Sequence, residues 1–187
     1  MKYVLRTDSV DATRAVGAAL SALTRPGDVL LLAGELGAGK TAFVQGFGAA
    51  LDVAEPITSP TFVLARHYDD GRMPMHHLDV YRLEQMNEVY DIGLPEVLDD
   101  GGVTLIEWGD AILPVLGNEY LEVRLTFCEA SDDERLIQLR PVGRSWARRQ
   151  VSLLHAIEPW AETPPHPSGS SGPSGASGQS GVPGAEA

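Results

Sequence analysis

Eight residues, Gly34 to Thr41, constrain the fold of this chain more than any other part of its sequence. They read GELGAGKT and match G-x-x-x-x-G-K-[ST], a pattern whose glycines let the backbone curl so that successive amides point at phosphate oxygens. The apolar run Val29–Ala33 before the loop predicts a strand buried on both faces, and residues 40–51 after it predict a helix. An ordinary glycine-rich turn with a surface lysine would not need a buried strand before it and a helix after it. The pattern therefore predicts a P-loop within an α/β fold.

Two side chains of the loop have expected roles. Lys40 is expected to reach the outer phosphates of a nucleotide as a point charge, and the Thr41 hydroxyl is expected to bind magnesium. The helix that begins near Lys40 adds its positive N-terminal end. Lysine is otherwise rare in this chain, because Lys2 is the only other one.

A magnesium ion at such a loop needs a carboxylate at the end of a neighbouring strand. Asp79 follows the run Met-His-His-Leu, and Glu107 follows Val-Thr-Leu-Ile. Both should lie at the carboxyl edge of the sheet, where α/β proteins bind their ligands. Either acid alone is also compatible with a helix cap or an exposed position, but the two together favour a magnesium site.

The other apolar patterns predict a P-loop NTPase-like mixed sheet flanked by helices. Further strands are expected at residues 2–6, 62–68, 73–78, 103–106, 120–127 and 135–139, and further helices after an N-cap at Asp8 and at 84–90, 95–98 and 145–155. Turns at 69–72 and at Asp132-Asp133 predict two antiparallel pairs. The expected sheet has a parallel core around the loop with antiparallel additions.

The end of the chain differs in composition from the rest. Residues 163–187 are almost all Pro, Gly, Ser and Ala, with a single formal charge at Glu186. Such a segment buries too little apolar surface to offset its ordering entropy. We therefore expect one folded domain at 1–160 and a disordered tail at 161–187.

Charge and hydropathy limit the expected partners. The formal net charge is −12, with 26 acidic against 14 basic residues, whereas a surface that grips nucleic acid needs a clustered basic face. We expect no DNA binding, and contact with RNA only through a partner that supplies basic surface. Apolar runs such as 29–33 are too short to span a bilayer, and the start of the chain lacks a signal-peptide core. A cytoplasmic protein without membrane contact is expected.

Two further segments have competing interpretations. Residues 58–62 stand where P-loop enzymes place a switch that senses the outer phosphate, although an ordinary proline turn is equally compatible. His76 and His77 could suggest a metal pair. Because adjacent strand residues point to opposite faces, we do not expect them to chelate one ion.

Four motifs occur together in the first 142 residues: GELGAGKT at 34–41, Thr-Ser-Pro-Thr-Phe at 58–62, His-Leu-Asp-Val-Tyr-Arg-Leu at 77–83 and Ile-Glu-Trp at 106–108. In order and spacing this set resembles the TsaE family, also called YjeE. That family is the small ATPase of the bacterial machinery that makes threonylcarbamoyladenosine in tRNA. Ala42 and Asp110 depart from residues frequent in the family, and neither is an expected ligand.

The resemblance implies ATP and Mg²⁺ as cofactors and gives roles to individual residues. Residues that would hold the nucleotide phosphates are Glu35, Leu36, Gly37, Ala38, Gly39, Lys40 and Thr41. Thr41 and Glu107 would bind magnesium. Lys40, Asp79 and Glu107 would form the catalytic set, with Asp79 binding nucleotide or positioning water.

The resemblance also implies contacts outside the loop. Ser9, after the first strand, and the late Arg135 would lie near the nucleotide, and Thr61 would belong to the switch. The partners would be the TsaD and TsaB proteins. Hydrolysis would support their repeated turnover, and the chain would not modify tRNA itself.

Three other functions compete with this one. A small-molecule kinase needs an arginine-rich lid, but only Arg82 lies between the two strand-end acids. A GTP-binding switch needs Asn-Lys-x-Asp, which the two lysines of this chain do not allow. A non-catalytic module with a structural nucleotide stays open, because ligands for binding and for hydrolysis overlap.

Overall fold

The central strand, Val29–Ala33, is buried on both faces, as its uninterrupted apolar run predicts. The computed structural model describes residues 1–60, 64–80, 93–107, 112–128 and 131–162. Its strands are β1 (Tyr3–Thr7), β2 (Val29–Ala33), β3 (Ala65–Tyr68), β4 (Met75–Asp79), β5 (Val103–Glu107), β6 (Tyr120–Cys128) and β7 (Ser131–Val142). Its α-helices are α1 (Val10–Ser21), α2 (Lys40–Ala49), α3 (Leu94–Asp99), α4 (Leu113–Leu116), α5 (Arg144–Ala147) and α6 (Gln150–Ile157), followed by a 3-10 helix at Glu158–Trp160.

The described strands form one sheet in the order β1-β7-β6-β2-β5-β4-β3. Strands β6, β2, β5 and β4 are parallel, β7 is antiparallel to β1 and β6, and β3 is antiparallel to β4. The predicted α/β sheet with a parallel core and antiparallel additions is therefore confirmed. Because parallel strands end at one edge, the ends of β2, β4 and β5 lie together there.

Alternation along β2 divides the core between the two faces of the sheet. Leu30 and Leu32 belong to the larger cluster, which also contains Leu20 of α1, Phe43 and Phe47 of α2 and Leu153 of α6. Val29 and Leu31 belong to the smaller cluster on the opposite face, with Leu94 of α3. Helix α2, which carries the loop at its N-terminus, is thus anchored on the larger core.

Helices α1 and α2 cross at backbone contact distance. A Cβ atom at Gly17 would lie 2.2 Å from the carbonyl oxygen of Phe43, and one at Gly46 would lie 1.9 Å from that of Arg14. Neither position has room for a side chain, so this approach requires glycine on both helices. The crossing fixes α2, and with it the loop, against α1.

The predicted N-cap of the first helix is wrong by one residue. Ser9, not Asp8, caps α1: its Oγ accepts a hydrogen bond from the Ala12 N–H at 3.1 Å. Asp8 accepts a hydrogen bond from the Ser9 hydroxyl at 3.1 Å. Both residue types favour the N-cap position, so local preference alone did not separate them.

Two predictions near the C-terminus are also wrong. The turn expected at Asp132-Asp133 lies within β7, because Cys128 already pairs with Ser131 and the strand continues to Val142. The single helix expected at 145–155 is divided into α5 and α6. Helix α4 was not predicted, since four residues are too few to show a helical period.

Some predictions fall outside the described residues. These are the switch residue Thr61, the start of the strand expected at 62–68, the helix at 84–90 and the tail from 163 onward. The division into a domain at 1–160 and a tail at 161–187 therefore stays a prediction. The described chain extends to Glu162, whose N–H donates to the Val4 carbonyl at 2.9 Å. Across the described residues we find no helix of the length and hydropathy that a bilayer crossing needs.

Candidate functional site

The loop between β2 and α2 has a backbone that only glycine adopts readily. Gly34, Gly37 and Gly39 have φ values of 145°, 80° and 104°. A Cβ atom at Gly34 would also lie 2.3 Å from the carbonyl oxygen of Leu125. Gly39 caps α2 and supplies no side-chain acceptor to its first turn. The start of this helix is therefore a place where an anion is favoured, as the motif predicts.

Lys40, the first residue of α2, is almost fully buried, and its side chain lies against the start of the loop. Its Nζ donates hydrogen bonds to the carbonyls of Gly34 at 2.9 Å and Glu35 at 3.1 Å, and it lies 3.9 Å from Glu107 Oε2. Burial lowers the pKa of Lys40, and the carboxylates of Glu107 and Asp79 partly oppose that shift. The ammonium thus stands between the loop and the two strand-end acids.

Asp79 and Glu107 are direct neighbours across two parallel strands. They are register partners at the ends of β4 and β5, and both are buried, at 4% and 3% exposure. The Val80 N–H donates to the Glu107 carbonyl at 3.1 Å, which continues the pairing one residue past the end of β4. The predicted convergence of these two acids at one edge of the sheet is what the structure contains.

His77 is a site residue that the sequence argument missed. Its ring is fully buried, and its Nε2 lies 2.9 Å from Glu107 Oε1. As one of two adjacent histidines it is not expected to bind a metal together with His76, and as the first residue of the motif at 77–83 it was given no role of its own. The usable signal was the strand period of two, which places His77 and Asp79 on the same face of β4.

Arg135 lies against the other side of the loop. Its Nε donates to the Ala38 carbonyl at 3.2 Å, and its guanidinium lies 4.5 Å from the centre of the half-exposed Phe127 ring. Thr7 is the register partner of Arg135 between β1 and β7, so the segment that leads to Ser9 reaches the same end of the sheet. The Ser9 hydroxyl is used as the N-cap of α1.

The segment proposed as a switch is connected to Asp79 through the backbone. Leu64 donates its N–H to the Pro60 carbonyl at 2.8 Å and accepts from the Asp79 N–H at 2.9 Å. Its φ is 65°, a left-handed value that is costly for a branched side chain. Thr61 itself lies outside the described residues.

The donor types at this edge fit a magnesium nucleotide. Hydroxyl and carboxylate oxygens, here from Thr41 and Glu107, are the ligands that Mg²⁺ prefers. Among the described residues no group of three His, Cys, Asp or Glu side chains could hold a metal.

Comparisons with known proteins point to one family. The family model described as "Threonylcarbamoyl adenosine biosynthesis protein TsaE" matches residues 7–137. The tRNA threonylcarbamoyladenosine biosynthesis protein TsaE of Bacillus subtilis is 41% identical over 141 residues, which cover 75% of this chain and 87% of that protein. Its namesake in Streptomyces coelicolor is 38% identical over 147 residues, covering 75% and 98%. The crystal structure of Bacillus subtilis YdiB superposes with a TM-score of 0.70 at 33% identity, covering 84% of this chain and 95% of that one.

Proposed function

This chain belongs to the TsaE family of tRNA threonylcarbamoyladenosine biosynthesis, and we propose that its part in that process is Mg²⁺-dependent hydrolysis of ATP. The observation that carries the proposal is the position of Lys40. Its ammonium touches two loop carbonyls and faces Glu107, at the point where β2, β4 and β5 end. A lysine placed in this way can leave the carbonyls and bind phosphate oxygens without leaving the site.

The proposed roles follow from where each group lies. The loop residues 35–41 bind the phosphates through backbone amides and Lys40, and Thr41 and Glu107 hold the cation. Bound Mg²⁺ would neutralise charge on the phosphates. Asp79, buried beside Glu107, orients the attacking water or the nucleotide. Burial of these groups excludes bulk water, which strengthens their electrostatic effect on the reacting phosphate.

We propose ATP rather than GTP as the nucleotide. Strands β6, β7 and β1 lie on one side of the loop and bring three groups there: Arg135, Phe127 and the segment around Ser9. We propose that the base and ribose of the nucleotide contact these groups. The sequence has no Asn-Lys-x-Asp motif with which to select guanine. Equal affinity for ATP and GTP in a calorimetric titration would contradict this choice.

The proposed partners are the TsaD and TsaB proteins in the cytoplasm. The chain would contact tRNA only indirectly, through these two proteins. The net charge of −12 supports a subunit that does not grip RNA itself. Backbone hydrogen bonds connect Pro60 to Leu64 and Leu64 to Asp79. A partner that moved the segment at 58–60 would therefore act on a proposed catalytic residue. Slow hydrolysis alone and faster hydrolysis in the complex are therefore expected.

The test is ATP turnover by the purified chain, alone and with TsaD and TsaB, over a range of Mg²⁺ concentrations. Thr41→Ala and Glu107→Ala should lose Mg²⁺-dependent activity, whereas Glu158→Ala, which removes an exposed acid of the C-terminal 3-10 helix, should not. Normal Mg²⁺ dependence in Glu107→Ala would transfer the ligand role to Asp79. Phosphate transfer to a small acceptor without the partners would instead indicate a kinase.

A further inference from the structure

The carboxylate of Glu107 is held from two sides by groups of different kinds. His77 Nε2 lies 2.9 Å from Oε1, which is hydrogen-bonding distance, whereas Lys40 Nζ lies 3.9 Å from Oε2, which is an ion-pair distance only. All three side chains are at most 5% exposed. The shorter contact is therefore the one that sets the orientation of the carboxylate.

The sheet itself places the imidazole beside the carboxylate. His77 is the register partner of Leu105, and Glu107 lies two residues further along β5, on the same face as Leu105. The two side chains are thus diagonal neighbours on adjacent parallel strands, within reach of each other across one step of the pleat. Backbone pairing, rather than a flexible loop, fixes their separation.

The hydrogen-bonding state of the ring follows from its surroundings. A carboxylate oxygen accepts, so His77 must carry its hydrogen on Nε2 to donate to Glu107. His77 Nδ1 is buried and has no hydrogen-bond partner among the described residues. A buried nitrogen lone pair without a hydrogen-bond partner costs less free energy than a buried N–H without one. The tautomer with hydrogen on Nε2 and none on Nδ1 therefore suits both ring nitrogens.

We propose that His77 is a positioning residue for the magnesium site: it holds Glu107 by Oε1 and leaves Oε2 for the cation. This inference rests on the proposed function of Glu107. Without the His77 bond, the carboxylate would be free to turn toward the Lys40 ammonium and form a closer pair. In such a pair Glu107 Oε2 would no longer be available to the cation, and the Lys40 ammonium would no longer be available to the phosphates. Partners of this kind orient metal ligands in many proteins, and their loss typically costs 10- to 100-fold in metal affinity or activity.

The test compares His77→Gln with His77→Met in the full chain. Glutamine and methionine have nearly the same length and volume, but only glutamine places an N–H where Nε2 stands. His77→Met should raise the Mg²⁺ concentration for half-maximal ATP hydrolysis by about tenfold or more, and His77→Gln should raise it much less. A second readout needs no turnover: the ratio of ADP affinities measured with Mg²⁺ and with EDTA should fall in His77→Met, while affinity in EDTA stays the same.

The outcomes separate this inference from the proposed function. If the wild-type chain shows Mg²⁺-dependent binding and His77→Met shows the same midpoint, the positioning role is wrong and the function stands. Equal losses in both variants would also overturn it, because packing alone would then explain them. If wild type itself has no Mg²⁺ dependence, both ideas fail. Nitrogen NMR of wild-type imidazoles guards against variants that do not fold: hydrogen on Nε2 of His77 is expected, and hydrogen on Nδ1 alone would overturn the proposal.

Discussion

Lys40 Nζ lies 3.9 Å from Glu107 Oε2, so a buried cation and a buried anion face each other where β2 and β5 end. The same ammonium donates to the carbonyls of Gly34 and Glu35. Burying either charge alone would be costly, and each group reduces the cost of the other. A nucleotide would replace the loop carbonyls with phosphate oxygens, which are stronger acceptors for a charged donor.

Removal of the Lys40 ammonium should abolish hydrolysis and weaken nucleotide binding. Lys40→Ala should lower ATP affinity by about 1.5–3 kcal/mol, the usual value of a hydrogen bond to a charged group, or roughly ten- to a hundredfold. Lys2→Ala is the matched control, because Lys2 is the only other lysine and is exposed. Calorimetric titration and a phosphate-release assay measure the two effects. Unchanged turnover in Lys40→Ala would remove the loop from the mechanism.

The site illustrates what the sequence could predict and what it could not. The loop glycines, Lys40 and the acids Asp79 and Glu107 carry their signals locally, as a motif or as a polar residue that ends an apolar strand. The role of His77 depends on which strand lies beside β4. That neighbour, β5, begins more than twenty residues later in the chain, so no local pattern reports the contact.

The fold shows the same division between local and non-local information. Strand β2 and helix α2 were predictable because the apolar run before the glycine motif and the motif itself both indicate a strand followed by a helix. The Asp132-Asp133 turn was wrong because β6 and β7 already pair at Cys128 and Ser131, so the two aspartates lie at a register shift within β7 and not in the turn before it. The break between α5 and α6 lies next to Arg149, whose long-range ion pair with Asp28 is invisible in a local window.

The Arg149–Asp28 pair should be important for stability and unimportant for nucleotide binding. Arg149 Nη2 donates to Asp28 Oδ1 at 2.7 Å, and both side chains are less than a tenth exposed. Arg149→Met leaves Asp28 buried without its partner, so the free energy of unfolding should fall by about 3–5 kcal/mol. Nucleotide affinity should not change, because Asp28 precedes β2 whereas the loop follows it.

The control for this variant is Asp11→Ala, which removes the exposed ion pair with Arg14. That change should cost at most about 1 kcal/mol. Urea denaturation of the three proteins measures both values. If Arg149→Met and Asp11→Ala lost equal stability, the buried pair would not be anchoring the C-terminal helices.

Gly46→Ala should destabilise the protein although alanine is the better helix former. The added Cβ would lie 1.9 Å from the carbonyl oxygen of Arg14. This oxygen belongs to the backbone of α1, which cannot move aside as a flexible side chain can. Propensity alone favours alanine by about 1 kcal/mol, whereas overpacking of this kind costs about 1–3 kcal/mol or more. Ala49→Gly, at the exposed last residue of the same helix, should cost less than the roughly 1 kcal/mol that glycine costs in a helix interior. A higher melting temperature for Gly46→Ala would contradict the close helix crossing.

Stability should fall as the pH drops below about 6.5, the ordinary pKa of histidine. Burial, together with the neighbouring His67, lowers the pKa of His76, and Asp100 and Asp69 only partly oppose this. The unfolded chain therefore binds a proton at His76 before the folded chain does, so this contribution is complete above pH 6.5 and is lost below it. His76→Asn should flatten the dependence of unfolding free energy on pH between 5 and 7. His155→Asn, at an exposed position of α6, should leave it as in wild type.

The proposed function requires that ATP hydrolysis by this chain sustains threonylcarbamoyl transfer by TsaD and TsaB. The direct measurement is the number of tRNA molecules modified per TsaD–TsaB complex in a reconstituted reaction that contains ATP and Mg²⁺. With the wild-type chain or Lys2→Ala, we expect many rounds of modification. With Lys40→Ala, we expect the reaction to stall early. Many rounds with the Lys40→Ala chain would contradict the proposed function.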